Sequence, residues 1–103
     1  LANYLRNIKV PKYAVWAMMK NKEPDLFIKQ FKGIFKKIIT IPIENEQNYM
    51  SSKDLKSIGK RNQFDVDEAN SINDAIKKIS SPEKKLINCI GSLYNVGNIL
   101  NKN

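Results

Sequence analysis

Two short loops carry the residues whose types and spacing best suit chemistry. In Met19-Lys20-Asn21-Lys22-Glu23-Pro24, two lysines stand just before a proline of the kind that opens a helix. Lys22 can there hold a carboxylate or a phosphate, helped by the partial positive charge of the helix start, or it can stand as a solvated loop lysine. In Gly91-Ser92-Leu93-Tyr94-Asn95-Val96-Gly97, a glycine that can turn tightly precedes a serine that can cap a following helix. Free N–H groups at that start, together with the Ser92 hydroxyl, would form an anion or carboxylate pocket; the plainer reading is an N-cap with no ligand. The spacing G-x-x-x-x-G-K-[ST] of a phosphate-cradling P-loop occurs nowhere in the chain.

The remaining candidates read as structure. Cys89 lies inside an apolar run as a small buried hydrophobe, with no histidine to activate it. Asp65, Asp67 and Glu68 form an acidic patch whose spacing fits no calcium loop and which flanks an edge strand. Trp16, Phe27, Phe31 and Phe35 fall on the apolar faces of their elements and so belong to a core, not to a stacking platform for bases.

These loops need elements to position them, and short apolar runs alternating with amphipathic stretches supply the pattern. Residues 13–18, 38–43, a weaker Phe64-Asp65-Val66 and 86–90 read as strands, short and flanked by turn residues. Pro24-Asp25 opens a helix with Leu26, Phe27, Phe31, Ile34 and Phe35 along one side. Ser51 or Ser52 caps the next, through Leu55 and Ile58 to an expected end at Gly59. Ser71 caps a third through Ile79, and a last helix is expected after Ser92, with Leu93, Val96, Ile99 and Leu100 facing inward. With residues 1–8 as a helix remnant, strands and helices alternate throughout. The expected fold is therefore α/β: a three-layer, mostly parallel, doubly wound Rossmann-like sheet flanked by helices, in a single domain over residues 1–103. Ligands of such sheets bind beyond the carboxyl ends of the strands, where both loops lie.

Composition narrows the chemistry. One cysteine and no histidine among 103 residues exclude a disulfide framework, imidazole general-base catalysis and histidine zinc sites. The net charge of +8 would allow nucleic acid as a partner, but the lysines are scattered along the chain and read as a solvated surface. Neither a bilayer-spanning run nor a signal-peptide layout is present in the sequence, so the expectation is a cytoplasmic protein with no membrane partner. Leu1-Ala2-Asn3-Tyr4-Leu5 reads like the middle of a helix, as in a piece of something longer.

At the same two loops the sequence resembles the carboxy-terminal domain of the folylpolyglutamate synthase and bifunctional dihydrofolate synthase family, within the Mur ligase superfamily. Residues 89–100 are similar to that family's closing signature, a strand followed by G-S-L-Y-x-x-G. Residues 16–23 resemble its G-M-M-x-x-K-D strand and loop, and 38–43 with the helix start at Ser52 resemble the next strand and helix. The resemblance implies an ATP-dependent ligase that adds L-glutamate to dihydropteroate or folate through an acyl phosphate, with ATP and magnesium bound mainly by a central domain outside these residues. It further implies that Lys22 pairs with a carboxylate of glutamate, and that Ser92 with backbone N–H groups near Leu93 and Tyr94 holds the other end, Gly91 making the turn. The family's D-G-A-H-N strand would lie upstream of Leu1. The chain is accordingly expected to lack the first strand of its sheet, to be inactive alone, and to self-associate through an exposed edge. Rival readings are another Mur ligase, which the G-S-L-Y ending fits less well, and a basic non-catalytic α/β binding module.

Overall fold

A computed structural model describes residues 2–44, 47–80, 82–92 and 98–102, the last five by their backbone. The elements run α1 (Ala2–Arg6), β1 (Lys12–Ala17), α2 (Pro24–Lys29), β2 (Lys37–Thr40), α3 (Ser52–Arg61), β3 (Val66–Glu68), α4 (Ile72–Ile79), β4 (Lys85–Gly91) and β5 (Asn98–Lys102). The strands form one five-stranded sheet in the order β3-β2-β1-β4-β5, with β5 antiparallel to β4 and every other pair parallel. The sequence reading of a mostly parallel, doubly wound α/β sheet is thus what the chain adopts.

The strands at the sheet centre are apolar on both faces because helices cover both. Alternation along β1 sends Ala14 and Trp16 to one face and Tyr13, Val15 and Ala17 to the other. The first face packs Trp16 with Leu5, Ile28 and Leu55 from α1, α2 and α3; the second packs Val15, Ile39 and Ile87 with Ala75 and Ile79 of α4. Trp16 stacks on Phe27, whose ring meets Phe31, which in turn meets Phe35, so these aromatics do form core.

The structure corrects several details. No helix runs through Ile99 and Leu100: that segment is β5, pairing Leu86 with Asn101 and Cys89 with Asn98. Pairing supplies partners to the outer edge of β4, which outweighs the modest helix preference of an asparagine-rich segment. The third strand begins at Val66 and not at Phe64, because the Phe64 N–H is drawn back to the Gly59 carbonyl at the end of α3. Gly59 does not end α3, which continues to Arg61; it is the point where the helix lies against Val66 of β3. In α2 the inward residue is Ile28, whereas Leu26 is 60% exposed. In the sheet, β1 takes the middle position, with β2 on one side and β4 on the other.

Candidate functional site

The parallel strands β1 to β4 all end at the same edge of the sheet, and the loops that leave them there form the candidate site. The β1 exit carries Met19, Lys20, Asn21 and Lys22; the β4 exit carries Gly91 and Ser92. Since β1 and β4 are adjacent, with Ala17 opposite Gly91, the two candidate loops leave side by side.

Hydrogen bonds join them. The Ser92 hydroxyl oxygen accepts the Met19 N–H at 2.8 Å, and the Ser92 N–H donates to the Ala17 carbonyl at 3.2 Å. Gly91 makes this approach feasible: its φ is +131°, and a Cβ there would collide with the Ala17 carbonyl oxygen. Ser92 therefore works across strands, and the first turn of the helix that the sequence places after it, residues 93–97, lies outside the described residues. Its oxygen accepts from Met19, and the hydroxyl proton makes no bond among the described residues. Leu93 and Tyr94 lie outside the described residues.

Lys22 sits three residues beyond Met19, exposed, with its own N–H donating to the Met19 carbonyl at 3.3 Å. Its ammonium has no ion-pair partner among the described residues. The helix that follows differs from a simple anion cradle: Glu23, in the N-cap position of α2, has φ of 50° and makes no side-chain capping bond, while Pro24 takes the first helical turn. The segment after β2, which the sequence marks as a loop, also closes on this site. Its Tyr49 forms an isolated antiparallel bridge with Met19; the Lys20 N–H donates to the Asn48 carbonyl at 2.9 Å and the Met50 N–H to the Met18 carbonyl at 2.8 Å. No local sequence signal announces this pairing, since neither partner lies in a periodic apolar run.

Beside these loops a groove of about 520 Å³ opens between the sheet and α4, with Ala17, Ile41, Pro42 and Ile43 on one side and Ser71 and Ile72 on the other. Among the described residues no three His, Cys, Asp or Glu side chains converge as a metal site. Asp67 and Glu68 instead belong to the edge strand β3, where Asp67 meets Lys78 at 3.5 Å and Lys56 at 3.9 Å. Cys89 is buried, and burial pushes its thiol above the usual range, which disfavours the thiolate a nucleophile needs. No helix among the described residues is long and apolar enough to cross a membrane.

No known sequence family matches the chain, and no curated protein does. A solved structure does: the crystal structure of Helicobacter pylori folylpolyglutamate synthetase matches over 88% of this chain with a TM-score of 0.63 and 14% identity. At that identity the likeness is one of fold. The chain spans only 22% of the length of that solved chain.

Proposed function

We propose that this chain is the amino-acid-binding terminal domain of an ATP-dependent ligase that joins L-glutamate to dihydropteroate or folate by way of an acyl phosphate. The observation that carries the reading is the coincidence of a folylpolyglutamate synthetase-like fold with a lysine and a serine held on adjoining loops at the ligand-binding edge of its sheet. Glutamate carries two carboxylates, and a point cation on one loop with a hydroxyl on the adjoining loop suits them. Lys22 pairs with one; Ser92, with the N–H groups of Leu93 and Tyr94, holds the other.

These residues bind and orient, and the gain is the placement of the glutamate amine against an activated acid. ATP, its magnesium and the pterin are held by other parts of a longer, cytoplasmic polypeptide, so the 103 residues do not turn over alone. Two measurements test the reading. Titration of L-glutamate into the ¹⁵N-labelled chain is expected to shift the amides of Met19 to Lys22 and of Gly91 and Ser92 in a saturable way. In the ligase that carries this domain, Lys22→Ala is expected to raise the KM for glutamate about ten- to a hundredfold, the worth of one charged hydrogen bond, with the KM for folate little changed. Glutamate kinetics indifferent to Lys22→Ala would sink the assignment. A salt-sensitive shift on mixing with duplex DNA would favour the basic binding module instead.

A further inference from the structure

We infer that Asn48-Tyr49-Met50 is a positioning strap that sets where the Lys22 ammonium stands, a role that rests on the glutamate-binding reading above. The Lys22 loop has little to hold it by itself: Lys20, Asn21 and Lys22 are all exposed, and among the described residues its one internal hydrogen bond is the 3.3 Å contact of the Lys22 N–H with Met19. Its order comes from two neighbours. Ser92 grips the Met19 N–H from the β4 side, and the strap grips from the other side through Lys20 N–H to Asn48 and Met50 N–H to Met18.

The strap is in turn anchored in both cores. Tyr49 and Met19, opposite one another in the bridge, pack against the cluster beneath α4, while Met50 packs against the cluster beneath α2 and α3. Immediately beyond it, the Ser51 hydroxyl caps α3 by accepting the Asp54 N–H at 3.0 Å, and the Thr40 hydroxyl donates to the Ser52 carbonyl at 2.7 Å. The strap therefore cannot slide without disturbing β2 or α3. A hydrogen-bonded frame thus reaches from Thr40 at the end of β2, through Ser52 and the strap, to a lysine that has no ion pair among the described residues. Loop rigidity of this kind sets binding strength by removing the ordering cost from the ligand.

The test uses the ¹⁵N-labelled chain with Tyr49→Ala and, separately, Met50→Ala; both leave the backbone donors in place. Expected first is an increase of about tenfold in hydrogen exchange at the Lys20 and Lys22 amides, with the α4 amides unchanged. Expected second is a several-fold weaker L-glutamate titration when Lys22 is present, and no further weakening when Lys22→Gln is already in place, since the strap acts through that lysine. Equal weakening in both backgrounds, or faster exchange with unaltered glutamate affinity, would overturn the inference. If the parent chain binds no L-glutamate, the ligase reading fails; the strap then stands if Lys20 and Lys22 exchange rise together in both variants, and falls if they do not. A variant that unfolds is recognised by loss of α4 protection, and the other variant then decides.

Discussion

At Gly91 the backbone sits at a φ of +131°, and the missing side chain is what lets the Ala17 carbonyl come close. Gly91→Ala combines left-handed strain with a backbone collision, so a loss of more than about 3 kcal/mol is expected, read as a lowered midpoint of urea unfolding. Asn88 invites the opposite outcome. It is fully buried in β4, and among the described residues neither its amide nitrogen nor its oxygen finds a partner; the Trp16 indole N–H, buried on the same face, has none among them either. Replacing an unpaired polar group by an apolar one of similar size removes a desolvation penalty, so Asn88→Leu should stabilise the fold by about 1–2 kcal/mol, visible as a higher Tm. The Cys89 thiol, pushed up by burial, is expected to stay inert to a thiol reagent until the chain unfolds.

Among elements, the helix starts were the most legible because capping is local chemistry. Ser51 and Ser71 each accept an N–H three residues on, from Asp54 at 3.0 Å and Asp74 at 3.1 Å. Ser71→Ala is expected to cost about 1 kcal/mol, measured by thermal unfolding. Gly59 shows where local rules mislead. An alanine in an exposed helix interior normally stabilises relative to glycine, but a Cβ at this position would lie 2.6 Å from the Val66 Cγ2 methyl. Gly59→Ala is therefore expected to destabilise, and pairing it with Val66→Ala should restore part of the loss. The α2–α3 contact depends on side chains far apart in sequence: Asp25 accepts from Asn62 at 3.0 Å and from Arg61 at 2.6 Å.

For the molecule as a whole, acid should loosen several joints together. Asp25 is held below the usual carboxylate range by its hydrogen bonds from Asn62 and then Arg61; Asp67 is held down by the Glu68 backbone N–H and then the Lys78 charge; Glu83 is held down by the Tyr13 hydroxyl and then Lys36. A carboxylate whose folded pKa is depressed contributes stability that is present above its unfolded value and is lost as pH falls through its folded one. The reference values are 3.8 for the aspartates and 4.5 for the glutamate, so stability is expected to decline from about there downward. The double variant Asp25→Asn with Glu83→Gln should flatten that acid limb of Tm against pH. The sheet edge matters at this scale too. On β3 the Glu68 carbonyl is taken by the Lys78 ammonium at 2.7 Å, which blunts that edge against pairing with a second chain.

The α/β class, three of the four parallel strands, the capped helix starts and the two candidate loops could all be read from the chain because each rests on local signals: apolar runs, turn residues and side-chain caps within four residues. What needed the tertiary structure involves partners distant in sequence. β5 became a strand because the edge of β4 required hydrogen bonds, Gly59 became a packing point because β3 lies across it, and Ser92 became a clamp because its strand neighbours the one that ends at Ala17. The strap at Asn48 to Met50 belongs to the same class. Its two bonds to the β1 exit join residues roughly thirty positions apart, and no periodicity within either segment encodes a contact that only the stacking of β2 beside β1 brings within reach.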